Sequence, residues 1–412
     1  MARFALKALV TSRLIIDQAL WTLTNFALVV LVARLASPDS FGLFALAYSS
    51  VVLVTGLVNV LAGEVLGVTR GVAMRGGRAE PPIHAAQLAF GVVVAMALIA
   101  PAAALVAVLV FGGAHTPAAS AWALICVAPA AVMAEGNRSL AYGLRRTDTV
   151  LRLSLMRFST QVIIVVLLIV SDAFKPHLVV LAWGVGGLVA VVMDLIEFPL
   201  RPRFFGATKA EWKRRRHFGF EYIATSGPSQ GMVFFAGAAL GLPAAGSIRA
   251  LQSLYGPLNV LSMGIRKVVI PIVAEDPSKV RRVGLTLSVG AGGIALLGTA
   301  VLLLIPGLGG GLLGASWPTD LWLVGGFGAG RVAVGIVLGA LIVLRAYDQG
   351  SYSSRLRALS AASLLIPFAL GSLVDLRTAM WAAGVASIFA AFVWWWFAFR
   401  MAQNDPTEGR LQ

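Results

Sequence analysis

Arg331 is the eleventh residue of 321–344, a 24-residue apolar run with no other charge. Even generous scales put an arginine at the centre of a membrane helix at about 2.5–3.5 kcal/mol. A carboxylate partner, or a hydrated cavity that receives an anionic group, must offset that. The guanidinium is always charged and presents a planar fork suited to phosphate or carboxylate oxygens. Arg34 and Arg249 lie near the outer ends of two other apolar runs. Each alone reads as an interfacial anchor. As a pair in comparable places of two chain halves, they could bind a diphosphate.

Uncharged polar residues recur at helical spacing. Gln18, Thr22 and Asn25 follow i, i+4, i+7, which puts them on one face. Tyr48, Thr55 and Asn59 share another face, and Arg249, Gln252, Ser253, Gly256 and Asn259 form a third stripe. Interhelical hydrogen bonding would account for such stripes. So would a lined cavity. Four carboxylates, Asp17, Glu64, Glu135 and Asp194, fall toward inner helix ends. Glu135 and Arg138 are i, i+3 and are expected to pair. Asp17 or Glu64 could hold a coupling proton or sodium ion, or be paired or snorkelling instead.

Other chemistry is not signalled. The four histidines (His84, His115, His177, His217) have no ligand spacing, so no metal site is assigned. No G-x-x-x-x-G-K-[ST] loop is present, which argues against ATP drive, and no cofactor is implied. The single cysteine, Cys126, allows no disulfide within the chain. Nothing points to covalent catalysis, and the chain is expected not to be an enzyme.

The elements that must position these residues follow from charge and hydropathy. Hydrophobic residues make up 58% of the 412 and charged residues 12%, with a mean hydropathy of +0.86. Twelve runs are long enough for membrane helices, which need about 20 residues: 14–35, 42–67, 85–112, 119–140, 154–170, 178–200, 220–242, 248–273, 283–306, 321–344, 356–374 and 379–399. No alternating strand pattern appears, and lipid leaves no other way to pair the backbone. The fold class is therefore all-α and polytopic. Of 33 basic residues, 28 fall in or beside every second gap between these runs; Arg34, Lys175, Arg249, Arg331 and Arg377 are the exceptions. Cytoplasmic loops retain positive charge, so both termini are expected inside, in the cell (inner) membrane. The net charge of +15 is then topogenic, held at an anionic membrane face, rather than a sign of nucleic-acid binding. The first run is long enough to remain as a helix rather than be cleaved as a signal peptide.

Outer gaps are short (36–41, 113–118, 171–177, 243–247, 307–320, 375–378) and house no catalytic domain. The glycine run 307–311 reads as an outer turn. Gly326/Gly330 and Gly335/Gly339 favour close helix contacts. The basic gap 201–219 divides the chain into two six-helix lobes, 1–205 and 206–412. Asn59-Val60-Leu61 recurs as Asn259-Val260-Leu261, and the turns at Ser37-Pro38 and Leu242-Pro243 are alike, as in transporters built from repeats.

The stretch 20–71, with Asn25, Ala33-Arg34-Leu35-Ala36-Ser37-Pro38, Phe41-Gly42 and Glu64, resembles the start of the lipid-linked oligosaccharide flippases of polysaccharide biosynthesis. These share the multidrug/oligosaccharidyl-lipid/polysaccharide (MOP) superfamily with the multidrug and toxin extruders (MATE) and the lipid II flippase. The latter's two further helices have no counterpart here. The resemblance implies two lobes around a central cavity, opening alternately to either side. Its implied function is a flippase carrying polyprenyl-diphosphate-linked oligosaccharide across the membrane for cell-surface polysaccharide. Its partners would be membrane lipids and the glycosyltransferases or polymerase of the same pathway. The alternatives are an ion-coupled multidrug extruder of the same superfamily, whose cavity should be acidic, and a non-transporting membrane partner of glycosyltransferases.

Overall fold

The computed structural model describes residues 2–75, 83–112, 118–256, 280–318, 320–346 and 350–403. Among them there are helices and no strands. In chain order these are α1 (Ala2–Leu35), α2 (Pro38–Val58), a π-helical turn (Asn59–Glu64), α3 (Val65–Arg75), α4 (Ile83–Phe111), α5 (Ala119–Gly143), α6 (Thr147–Val170) and α7 (Pro176–Glu197). They continue with α8 (Lys209–Leu240), α9 (Leu242–Leu254), α10 (Val280–Leu304), α11 (Pro306–Leu313), a 3-10 turn (Gly314–Ser316), α12 (Leu321–Ala346), α13 (Gly350–Gly371) and α14 (Leu376–Gln403). Nine helices among the described residues are long and apolar enough to cross a membrane. Of the other predicted runs, most of 220–242 lies in α8, where Thr225, Ser226, Ser229 and Gln230 dilute the apolar sequence, and most of 356–374 lies in α13. The run 248–273 extends beyond the described residues.

Local chemistry sets the ends. Ser37 caps α2, accepting from the Ser40 amide, with Pro38 in the first turn. A capping box opens α8: Thr208 and Glu211 each accept from the other's backbone amide. Gly241 ends α8 at φ 90°, the left-handed region glycine tolerates. Two sequence expectations are corrected. The glycine run 307–311 is helical, within α11, because a side chain at Gly309 would strike the Trp317 ring at 2.5 Å and the bare backbone packs there instead. And α6 begins seven residues before the predicted 154, so Arg152 lies inside a helix rather than in a basic loop.

Contacts divide the chain into two compact units: Met1–Ala250 with Leu313–Ser316, and Leu251–Leu312 with Trp317–Gln412. In the first unit α8 packs on α2: the Tyr222 hydroxyl donates to the Val52 carbonyl over Gly56. Arg215 donates to Leu61 O, 2.8 Å away in the π turn. That turn lies against α5 through Gly63, Ser139 and Gly143. At one end of the unit Arg13 pairs with Asp148, Arg152 with Glu197, and Arg70 donates to the Leu144 carbonyl. The second unit is cored by Val280, Ala340–Leu344, Leu356, Trp394 and Trp395. Here the glycine pairs act as expected: Gly335 and Gly339 meet the α10 backbone at Gly292 and Gly284, while Gly326 and Gly330 meet α14 at Met380 and Gly384.

Candidate functional site: a buried ionic and aromatic cluster

Four ionisable side chains lie buried near one another in the first unit: Asp17 (0% exposed), Arg157 (1%), Arg138 (4%) and Glu135 (5%). Burying a charge is costly unless it is paired and hydrogen-bonded, and Arg138 pairs with both carboxylates. Its Nη2 and Nε donate to Asp17 at 2.8 and 3.2 Å, and its Nη1 to Glu135 at 3.3 Å. Asp17 also accepts from the Tyr142 and Ser154 hydroxyls. Glu135 accepts from Asn59 Nδ2 at 2.6 Å, and Asn59 accepts in turn from Ser139. Asn59 opens the π turn, the irregular turn of the α2–α3 span. Such turns are often found at functional sites.

Aromatic rings take over where the carboxylates end. The Arg138 guanidinium lies 4.5 Å from the Trp21 ring centre. Arg157 lies 4.0 Å from the same ring and 4.8 Å from that of Trp183. Tyr48 is next, 6.2 Å from Trp183 between ring centres. Arg249, half-buried, covers the other side of the sequence of contacts, 4.3 Å from the Tyr48 ring. Trp183 Nε1 donates to Asn25 at 3.1 Å. The cluster thus holds three guanidiniums against two carboxylates, with aromatic rings against each guanidinium in cation–π contact.

Most residues singled out from sequence meet here. Asp17, Gln18, Asn25, Tyr48, Asn59 and Arg249 all belong to the cluster, Gln18 by accepting from Arg138 Nη2 at 3.0 Å. The expected Glu135–Arg138 pair forms. Thr22 and Thr55 instead turn back on their own helices, donating to the carbonyls of Gln18 and Val52. Arg34 is exposed in the last turn of α1, and Glu64 is exposed at the end of the π turn. Gln252 is buried in the second unit, and Asn259 falls outside the described residues. Arg331 is also in the second unit, 4.7 Å from the Phe327 ring, in a group with Tyr255 and Thr299.

Trp21, Tyr142, Ser154, Arg157 and Trp183 are not among the sequence candidates. Arg157 falls within the predicted run 154–170, yet is only its fourth residue, and groups with the basic residues of the neighbouring gap. The buried face of α6 is Val150, Leu153, Ser154, Arg157 and Gln161, a 3–4 spacing that could have identified it.

No protein-family model matches the sequence, and no curated protein matches it. Solved structures do match over nearly the whole chain. A MOP superfamily transporter from Pyrococcus furiosus is 12% identical, with a TM-score of 0.66 over 95% of this chain and 94% of that one. A multidrug resistance MATE family transporter in an inward-facing conformation is 13% identical with a TM-score of 0.66, covering 93% and 94%. An outward-facing MATE family transporter is 14% identical with a TM-score of 0.60, covering 96% and 95%. The chain has the fold of the MATE-type transporters of the MOP superfamily.

Proposed function

We propose that the chain is a secondary transporter, and specifically a flippase moving polyprenyl-diphosphate-linked oligosaccharide from the inner to the outer leaflet of the cell membrane. The excess of guanidinium over carboxylate in the buried cluster carries this reading: it suits an anionic diphosphate better than a cationic drug. Amide, hydroxyl and indole groups beside it (Gln18, Asn25, Tyr48, Asn59, Trp21, Trp183) suit sugar hydroxyls. The MOP superfamily transporter of Pyrococcus furiosus is itself described as having a binding pocket of reverse polarity that suggests a different function. In this reading the lobes 1–205 and 206–412 alternate access, and Arg331, Arg34 and Gln252 meet the substrate at other stages. Asp17 or Glu64 carries any coupling proton or sodium ion.

The test is leaflet transfer of labelled lipid-linked oligosaccharide by purified protein in vesicles, beside efflux of a cationic dye. Lipid transfer without dye efflux is expected. Dye efflux alone would move the chain to the second reading, an ion-coupled multidrug extruder, which the multidrug MATE neighbours favour.

A further inference from the structure

We propose that Arg157 forms an oxyanion site inside the first unit, taking a phosphoryl group in the plane of its guanidinium. The side chain is 1% exposed, and its Nε and Nη1 have no hydrogen-bond partner. Indoles lie against it at 4.0 and 4.8 Å, Trp21 and Trp183, so the open donor positions lie in the guanidinium plane. Buried donors left unmade are costly, as is a buried cation without a counter-charge.

Neighbouring carboxylates do not meet that need. Asp17 accepts from Arg138 twice, from Tyr142 and from Ser154, while Glu135 accepts from Arg138 and Asn59. Only an acceptor from outside the cluster completes Arg157. A phosphoryl oxygen does so in the strong, charge-assisted way. Across Tyr48 the half-buried Arg249 offers a second cation, so a group with two phosphates is favoured over one. Trp21 and Asn25, also half-buried, stand beside the indole pair and give the group its approach. The proposal rests on the transport reading in so far as the diphosphate is borne by a transported lipid. A free oxyanion would satisfy the same donors.

The experiment is thermal unfolding of the purified full chain with inorganic pyrophosphate or farnesyl diphosphate, against sodium chloride at matched ionic strength. An anion that binds only the folded state raises the melting temperature. The wild type is expected to respond to one or both probes. Response to both indicates a free oxyanion, response to farnesyl diphosphate alone a lipid-borne one, and either sustains the site. Arg157→Gln should weaken the apparent affinity at least tenfold, while Arg377→Gln, at an exposed arginine of the second unit paired with Asp320, leaves it unchanged. Arg157→Met, similar in length and apolar, is the reserve variant should glutamine not fold, and is read the same way. No response in the wild type, or wild-type affinity in the Arg157 variant, overturns the proposal. Binding through Arg157 without leaflet transfer would leave the site standing and remove the flippase reading.

Discussion

Arg138 and Arg331 are both arginines within apolar helices, yet they make opposite demands on their surroundings. Arg138 is the shared partner of two carboxylates, so removing one of them leaves a buried charge undercompensated. Asp17→Asn is expected to destabilise by about 3–5 kcal/mol, read by unfolding in detergent. Glu64→Gln, at an exposed position, should stay within about 0.5 kcal/mol of wild type. Equal stability of both variants would mean that the Asp17 pair is not the buried bridge described. Arg331 rests on Phe327 beside Tyr255 and Thr299. If it meets the substrate diphosphate, Arg331→Ala should abolish transfer with stability held, and Arg331→Lys should keep part of the activity, since lysine lacks the planar fork. A loss of several kcal/mol in Arg331→Ala would assign it a structural role. A stable and fully active variant would exclude it from the substrate path.

Among the elements, α2 with its π turn is held between α4, α5 and α8 of the first unit. It offers Asn59 to α5, the Val52 carbonyl to Tyr222 and the Leu61 carbonyl to Arg215. Gly56 makes the second of these contacts possible, because a Cβ there would fall 1.8 Å from the Tyr222 hydroxyl. Gly56→Ala should therefore cost roughly 1–3 kcal/mol through overpacking. In a Tyr222→Ala background the same change should cost far less, a coupling that a double-mutant cycle measures directly. Additive losses would place Tyr222 elsewhere. The start of α8 carries a pH signature. Burial would push the Glu211 carboxyl up, but hydrogen bonds from the Thr208 amide and hydroxyl, with the Arg215 charge, outweigh it and hold it below its ordinary value. A depressed carboxyl contributes stability above its unfolded pKa of about 4.3, and that contribution is lost as pH falls through the lower folded value. Thr208→Ala, a cap loss of about 1 kcal/mol at neutral pH, should thus differ less from wild type as the medium is acidified below about pH 4. A gap in melting temperature that stays constant to low pH would remove the Glu211 contribution.

At the scale of the whole molecule, helix class and most helix positions were legible because hydrophobic run length and charge alternation report directly on what lipid tolerates. The glycine contacts of α12 were legible for the same reason, since small residues at four-residue spacing have one use in an apolar helix. The site was legible only in part. Asp17, Asn25, Tyr48 and Asn59 announced themselves as polar interruptions of apolar runs. Arg138 was legible as the partner of Glu135, but its second bond to Asp17 and the burial of Arg157 were not, because both arginines border the basic stretch between α5 and α6 and read as its edges. Trp21 and Trp183 look like any membrane tryptophan until two guanidiniums are placed on them.

Orientation is the remaining expectation at this scale, and it rests on the same charges. Arg13, Arg70 and Arg152 gather at one end of the first unit, tied to Asp148, the Leu144 carbonyl and Glu197. With the basic 201–219 segment included, retention of positive charge leads to the expectation that this end, both termini and Lys209 face the cytoplasm. On a Cys126→Ser background, a cysteine replacing Lys209 should resist a membrane-impermeant thiol reagent in intact cells and react after permeabilisation. A cysteine replacing Gly307, which is exposed near the start of α11 with nothing within 4 Å of its would-be Cβ, should react in intact cells. The reverse pattern would invert the topology and, with it, the direction in which a substrate taken up from the cytoplasmic leaflet would be carried. Reaction at both positions without permeabilisation would contradict the alternation of charge as a guide to sidedness in this chain.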